Sequence, residues 1–155
     1  MQDLKYLTAL GLVTLSLNAT GISSTELFPD HQNTLVLNGV EVRKGTIASL
    51  IFNVETLDKA LSNQDPDLAQ IHQAVKDIQS VLVGLDALEI FELFPIEQWL
   101  NATTADGQPR YSKHLVGLMA LQHFPKYQNR NNNQLSEEAR KTLPIILLKY
   151  LKKED

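Results

Sequence analysis

Residues 34–61 read TLVLNGVEVRKGTIASLIFNVETLDKAL and contain two different apolar periods in succession. Apolar residues alternate with other residues on both sides of the dipeptide Asn38-Gly39. A two-residue Asn-Gly connection suits the positive φ angles of a type I′ turn, whose twist matches that of paired strands. The sequence therefore predicts a β-hairpin near residues 34–43.

The second part of this stretch changes to a helical period. Apolar residues recur there at spacings of three and four, at Ile47, Leu50, Ile51, Val54, Leu57 and Leu61. Polar residues such as Asn53 and Asp58 lie off this stripe, which is the pattern of an amphipathic helix. We expect Gly45 to let the chain turn sharply out of the hairpin, and Thr46 to be the N-cap. Hairpin and helix should then form one folding unit.

A second helix is predicted to follow. Asp65 is its expected cap and Pro66 its expected first residue, because proline lacks the N–H that this position leaves unused. The apolar seam that follows comprises Leu68, Ile71, Val75, Ile78, Leu82 and Leu85. The seam is short for a coiled coil, so we expect this helix to pack against residues 46–62 as an antiparallel pair, with a dimer seam as the alternative.

The segment EIFELFPIEQWL, residues 89–100, contains the only Trp of the chain. We expect Gly84 to loosen the helix before it. Pro95 disfavours helical geometry at the preceding residue, so one helix should end near Leu93 and the next begin with Pro95. Such corners fill junctions between packed helices, and we therefore expect core here rather than a patch for a partner.

The last third of the chain is predicted to contain two further helices. Ser112 is the expected cap of a helix that ends before Pro125. The Asn-rich segment KYQNRNNNQ, residues 126–134, is expected to be an exposed, mobile loop. Ser136 should begin the final helix, and Pro144 should kink it.

Length and composition bound the fold class. The chain has 155 residues, 43% of them hydrophobic and 21% charged. A chain of this length and composition can bury a hydrophobic core without support from disulfides or bound metal ions. It has no cysteine, which excludes disulfides, thiolate nucleophiles and thiolate metal sites. We therefore expect a single domain, residues 1–155, of the α+β class and mostly α: a helical bundle of about five or six helices with one β-hairpin.

Charge is distributed unevenly along the chain. Residues 1–106 carry 5 Lys/Arg against 14 Asp/Glu, and residues 107–155 carry 9 against 4, so that −9 and +5 make up the net charge of −4. Three readings stay open: docking of a basic C-terminal helix on an acidic body, head-to-tail association of two molecules, or a basic surface for an acidic partner. The candidate partner-binding residues are Arg140, Lys141, Lys149, Lys152 and Lys153.

Residues that could carry catalysis are few. None of the four histidines lies three or four residues from another, and no His-Glu-x-x-His pattern occurs, so a helical two-histidine metal site is not indicated. Phosphate-binding loops, nucleophile elbows and dinucleotide fingerprints are also missing. We therefore expect no cofactor, no metal and a non-enzymatic, protein-binding role. The alternative is a small hydrolase or metal-dependent enzyme in which His114 and His123 meet carboxylates such as Glu97 or Asp106.

Partner and location follow from the same reasoning. The overall acidity argues against nucleic acid, so the expected partner is another protein or a second copy of this chain. No apolar run is long enough to span a bilayer. Tyr6 to Leu17 is mostly apolar, but Asp3 offsets Lys5 and Leu17 is too large for its place before a cleavage site. We expect a cytoplasmic protein, with a periplasmic or exported one as the alternative.

Two motifs about fifty residues apart carry a resemblance. NGVEVRKGTIASLIFNV and LFPIEQWLNATTADG together resemble a family of small bacterial proteins of uncharacterised function, over residues 35–106. The matching residues are Gly45, Thr46, Ile47, Ala48, Phe91, Leu93, Phe94, Pro95, Glu97 and Trp99. The resemblance implies a helix start after a short hairpin and a Phe-x-Leu-Phe-Pro-x-Glu-x-Trp segment, and it implies no activity.

Overall fold

The computed structural model describes residues 30–151, together with the backbone of residues 6–8 and 11–12. The strands are β1 (Tyr6–Thr8), β2 (Gly11–Leu12), β3 (Thr34–Leu37) and β4 (Val40–Arg43). The helices are α1 (Thr46–Ser62), α2 (Leu68–Ala87), α3 (Ile90–Leu93), α4 (Ile96–Leu100), α5 (Tyr111–His123), α6 (Arg130–Thr142) and α7 (Ile145–Leu148), with a 3-10 turn at Pro125–Tyr127. The fold is α+β and mostly helical, as predicted. The possible targeting segment falls largely on residues outside this description.

The β-hairpin is confirmed. Asn38 and Gly39 have φ angles of 49° and 78°, as a type I′ turn requires, and β3 pairs with β4 in the register Leu37↔Val40 and Leu35↔Val42. The antiparallel sheet continues with β1 and β2 on the far side of β3, in the order β2-β1-β3-β4. Leu35, Leu37 and Val42 are buried together with Ala87 of α2 and form a small core between sheet and helix.

The start of α1 differs from the prediction. Gly45, at φ 90°, is the N-cap, and Thr46 is the first helical residue. The Thr46 hydroxyl donates a hydrogen bond of 2.7 Å to the Arg43 carbonyl instead of accepting one from a helix N–H. The hydroxyl therefore stabilises the connection between β4 and α1, where only glycine readily adopts the required left-handed backbone.

The buried stripe of α1 is also shifted from the predicted one. Leu50, Val54 and Leu57 are buried as expected, but Ile47 and Ile51 are exposed, and Asn53 is buried. The Asn53 amide donates to the Ser49 carbonyl one turn back, at 2.9 Å, so it can be buried without losing its hydrogen bond. Two of the apolar residues assigned to the core thus lie on the surface.

Helices α1 and α2 form the antiparallel pair that the sequence predicts. They are joined by only five residues and pack along much of their lengths, which makes them neighbours in a helical hairpin. The predicted cap was wrong by two residues. Asp67, not Asp65, caps α2, because its carboxylate accepts from the backbone N–H groups of Ala69 and Gln70. The seam from Ile71 to Leu85 is buried, whereas Leu68 is exposed.

Gly84 does not loosen α2, which continues to Ala87. A Cβ at Gly84 would lie 3.3 Å from Cγ2 of Thr46, so the glycine lets α2 approach the start of α1. The chain then turns at Glu89, which has a φ of 59°, and α3 ends at Leu93 as predicted. Pro95 is the cap of α4 rather than its first residue.

Helix α5 is the most buried helix, and Ser112 does not cap it. The helix begins at Tyr111, because the backbone of Arg110 is already held by a 2.9 Å hydrogen bond from its N–H to the Ala102 carbonyl. Ser112 therefore lies within the first turn and is buried. Leu115, Val116 and the residues after them belong to the main core, which α1 to α7 share.

The prediction of a mobile Asn-rich loop is wrong. Helix α6 begins at Arg130, and Asn129 caps it by accepting from the N–H of Asn132 at 2.8 Å. Asn132 is itself buried and donates to the Tyr127 carbonyl at 2.8 Å. The last helix therefore starts six residues before Ser136, and Pro144 interrupts it completely, since Leu143 is extended.

The charge asymmetry contributes to packing within the molecule. Two ion pairs join an acid of the first part of the chain to a base of the second: Asp58 with Arg110 at 2.7 Å and Asp86 with Lys126 at 2.8 Å. Near the C-terminus the Tyr150 hydroxyl lies 3.1 Å from Nδ1 of His72, which places the end of the bundle against α2. Within the described residues, none of the helices combines the length and apolar character needed to cross a bilayer.

Candidate functional site

A surface cleft of about 340 Å³ lies between α1, the corner of α3 and α4, and the start of α5. We call it the Trp99 cleft. Its lining residues are Leu50, Ile51, Val54, Glu55, Phe94, Gln98, Trp99, Arg110 and Lys113. The volume is at the lower end of the range of binding pockets, enough to receive one or two large side chains.

Apolar side chains line the floor and one edge of the Trp99 cleft. Leu50 and Val54 form the floor and are buried. Ile51 and Phe94 stand at the edge with 56% and 48% of their surface exposed, and Ile47, one turn before Ile51, is 42% exposed. We call Ile47, Ile51 and Phe94 the apolar rim. Because residues four apart are neighbours on a helix, the rim continues the apolar floor out to the surface.

Trp99 fixes the shape of the wall opposite α1. Its indole Nε1 donates a 2.9 Å hydrogen bond to the Phe94 carbonyl, across the break between α3 and α4. Its ring packs edge-to-face on Phe91, with centroids 5.8 Å apart, and Phe91 is buried in the core. The corner that carries Phe94 is therefore held by both a hydrogen bond and an aromatic contact.

An ion pair of Arg110 joins the start of α5 to α1. Its Nε and Nη2 donate to the same oxygen of Asp58 on α1, at 3.1 Å and 2.7 Å. Both side chains are about a quarter exposed, so the pair is shielded more than a surface ion pair but is still reached by solvent. The ion pair holds the start of α5 beside α1 and sets the width of the Trp99 cleft.

The remaining polar side chains lie at the mouth of the cleft. Glu55 and Gln98 are exposed and Lys113 is half-buried. None of the three side chains makes a hydrogen bond or ion pair with another described residue. The mouth thus offers an acid, an amide and a base that are open to a partner.

His114, one turn after Arg110, is not among the residues that line the cleft. It is buried, and its Nε2 lies 2.9 Å from the Ala102 carbonyl, so Nε2 carries the proton in this contact. Burial lowers the pKa of His114 below its ordinary value of 6.5, and the Ala102 hydrogen bond and the charge of Asp58 oppose that shift only in part. His114 is therefore a neutral structural residue that closes the loop of residues 101–109.

The structure does not bring His114 and His123 together. They lie nine residues apart on α5, about 13 Å along the helix axis, and His123 is exposed with its ring against Phe124. Glu97 is exposed on α4, and Asp106 accepts a short hydrogen bond from the Thr104 hydroxyl. In the part of the chain that the structure describes, no group of three His, Asp or Glu residues could hold a metal ion.

Three of the five predicted basic residues, Arg140, Lys141 and Lys149, lie within the described part of the chain. Arg140 is half-buried in the last turn of α6, beside the exposed Lys141. Lys149 is exposed after α7, with its Nζ 5.0 Å from the centre of the Tyr150 ring. Lys152 and Lys153 lie outside the described residues. A role for these lysines and Arg140 in partner binding stays a prediction.

A second polar cluster lies at the far end of α2. Asp86 accepts a short hydrogen bond from the Tyr127 hydroxyl through the oxygen that also pairs with Lys126. Burial and the Asp86 hydrogen bond raise the pKa of Tyr127 to about 12, and the same carboxylate raises the pKa of Lys126. Tyr127 and Lys126 are thus stabilised in their protonated forms, and the cluster fastens the 3-10 turn to α2.

The sequence predicts only part of the Trp99 cleft. Its apolar pattern marks Phe94 and Trp99 as core and places Ile51 in a buried stripe, whereas all three line the cleft. The missed signal was an excess of apolar residues on α1, where Phe52, exposed over 69% of its surface, follows Ile51 directly. One face of a helix cannot bury adjacent residues of this size together with the stripe.

Comparison with protein-family models, curated proteins and solved structures finds no match to this chain.

Proposed function

We propose that this chain is a small, non-enzymatic bacterial protein that binds another protein, of the adaptor, regulator or immunity kind. The Trp99 cleft is the proposed contact, and a large apolar side chain of the partner is its proposed occupant. The observation that carries the proposal is the continuity of the apolar rim with the buried floor of the cleft, because contiguous exposed apolar surface marks interaction sites.

The energetics of the rim favour a protein partner. Removing an exposed aliphatic or aromatic side chain from water is worth roughly 1.5 to 3 kcal/mol when burial is complete, and the rim residues are about half exposed. A partner that covers Ile47, Ile51 and Phe94 therefore gains on the order of 2 to 4 kcal/mol from the rim alone. The Trp99 corner is already held in place, so little ordering is needed when the partner binds.

The chemistry of the cleft supports binding rather than catalysis. Arg110 is paired with Asp58, Glu55 is exposed, and none of the residues that line the cleft is a histidine. Nε2 of His114 is bound to the Ala102 carbonyl. A general base must be within reach of the proton it abstracts, and the buried His114 is not among the residues that line the cleft.

Affinity capture with matched variants tests the proposal. Wild-type protein, Ile51→Asp, Phe94→Asp and Ile145→Asp would each be used as bait in lysate of the native organism, and the captured proteins quantified by mass spectrometry. Ile145 is the matched control, because it is also an exposed isoleucine, 86% accessible, but lies on α7. We expect Ile51→Asp and Phe94→Asp to lose a partner that wild type and Ile145→Asp both retain.

Two results would contradict the proposal. One is a partner that Ile51→Asp and Phe94→Asp retain in full while both variants stay folded by circular dichroism. The other is a partner lost only with Ile145→Asp, which would move the interface to the basic C-terminal end around Lys141 and Lys149.

We also propose a cytoplasmic location, with the periplasm or export as the alternative, and fractionation of native cells with detection by antibody tests it.

A further inference from the structure

Strand β4 ends the sheet on one side, since no described strand lies beyond it. The pairing pattern fixes which of its backbone groups face outward. Lys44 donates a 2.7 Å hydrogen bond to the Asn33 carbonyl, and the two-residue turn pairs Val40 with Leu37, so Val40, Val42 and Lys44 bond towards β3. The N–H and C=O groups of Glu41 and Arg43 therefore point away from the sheet.

The edge of β4 opens onto a groove of about 480 Å³. The helices line it with residues that have short side chains or none: Ser49 on α1, and Ser80, Val81, Val83 and Gly84 on α2. Short side chains leave room for another strand to approach the edge. The groove lies on different residues from the Trp99 cleft, so binding at the β4 edge is independent of the proposed function.

We propose that two copies of this chain pair through β4, antiparallel and centred on Val42, to form a continuous sheet across a twofold axis. Antiparallel pairing about Val42 places Glu41 of one copy directly opposite Arg43 of the other, and the symmetry repeats this contact. Glu41 and Arg43 are both exposed on the face of the sheet opposite the buried Val42, and neither has an ion-pair partner among the described residues. The strand is thus complementary in charge to its own copy.

The same register satisfies the outward backbone groups. Glu41 opposite Arg43 is a hydrogen-bonded pair, in which the Arg43 N–H donates to the Glu41 carbonyl of the second copy and the Glu41 N–H donates to its Arg43 carbonyl. The Arg43 carbonyl also accepts from the Thr46 hydroxyl, and its second lone pair serves the new bond. Four backbone hydrogen bonds and two ion pairs then hold the two strands together.

Charged side chains usually protect an edge strand from self-association. If residues 41 and 43 carried like charges, the twofold arrangement would place those charges opposite each other and prevent the two strands from pairing. Glu41 and Arg43 carry opposite charges, so the same arrangement turns repulsion into attraction. This sequence pattern favours a second copy over an arbitrary extended peptide.

Charge reversal and charge exchange test the dimer. The molar mass of the full chain would be measured by light scattering after size exclusion, at concentrations up to the high micromolar range. Wild type should approach twice the chain mass of 17.4 kDa as concentration rises. Glu41→Arg sets Arg against Arg at both contacts and should weaken dimerisation roughly tenfold or more. The double variant Glu41→Arg/Arg43→Glu restores both pairs and should restore the dimer.

Two controls separate this surface from others. Glu137→Arg makes the same charge change at an exposed site on α6 and should leave the dimer intact. Ile51→Asp should also dimerise normally, which keeps this inference distinct from the proposed function. A wild type that stays monomeric, a Glu41→Arg variant that dimerises like wild type, or a folded double variant that stays monomeric would each overturn the inference.

Discussion

Gly117→Ala is the substitution whose effect the structure predicts most sharply. Gly117 lies in α5 where α4 crosses closest, and an added Cβ would stand 3.0 Å from Cβ of Trp99 and 3.0 Å from Cδ2 of Leu100. The Trp99 atom is fixed to the backbone, and its ring is held by the Phe94 carbonyl, so it cannot move aside independently of α4. The new methyl group must therefore push α4 away from α5.

Two opposing terms decide the sign of the change. Replacing glycine by alanine in a helix interior stabilises by about 1 kcal/mol through helix propensity alone. Overpacking a well-filled core by one methyl group costs about 1 to 3 kcal/mol. The strain should prevail, and we expect Gly117→Ala to lower the free energy of unfolding by about 1 kcal/mol.

Gly84→Ala is the matched control. Its Cβ would meet Cγ2 of Thr46 at 3.3 Å, a side-chain methyl group that can yield by a few tenths of an ångström. We expect Gly84→Ala to be neutral or to stabilise by up to about 1 kcal/mol. Urea denaturation followed by Trp99 fluorescence measures both variants, and the emission of native Gly117→Ala should itself shift because the indole is displaced. A Gly117→Ala protein as stable as Gly84→Ala, with unchanged emission, would refute the close packing of α4 on α5.

Three further predictions concern the cap of α2, the Asn-rich segment and the buried histidine. Asp67→Ala removes the α2 cap and should lower the free energy of unfolding, measured by urea denaturation, by about 1 kcal/mol. Asp65→Ala should have little effect. Equal losses in the two variants would contradict the assignment of Asp67 as the cap. Asn132→Ala leaves the Tyr127 carbonyl without its partner and should cost about 1 to 3 kcal/mol, and a neutral result would argue against an ordered start of α6. Burial lowers the pKa of His114 in the folded state, so the unfolded chain binds the proton more readily. The free energy of unfolding should therefore be highest above about pH 6.5 and fall as the pH drops below that value. His114→Gln should flatten that fall in urea denaturation repeated at several pH values, and an unchanged slope would show that His114 is not its source.

The hairpin and the long helices could be predicted because local chemistry determines them. Asn38-Gly39 specifies its own turn, and the seam from Ile71 to Leu85 has a helical period that only one partner face can satisfy. Cap positions were less predictable. Asp65 and Asp67 are equally suitable by residue type, and only the path of the linker decides which carboxylate reaches the free N–H groups.

The errors have a common physical cause, which is dependence on contacts distant in sequence. Asn132 was assigned to a loop because asparagine is a poor helix former, yet its amide is satisfied by a carbonyl outside the helix. The walls of the Trp99 cleft are set by Asp58 and Arg110, which lie 52 positions apart. Ile51 was assigned to the core because periodicity counts apolar residues without distinguishing those that face a neighbour from those that face solvent.

Partner binding at the Trp99 cleft can be observed directly in a fluorine NMR spectrum of the chain labelled with 5-fluorotryptophan. Trp99 is the only tryptophan, so the spectrum reports on the cleft alone, whatever residues a captured partner contains. If the partner binds in the Trp99 cleft, the Trp99 resonance should shift when the partner is added to wild type or to Ile145→Asp, and stay unshifted with Ile51→Asp. A partner that binds wild type tightly and leaves this resonance unchanged would contradict the assignment of the Trp99 cleft as the binding site.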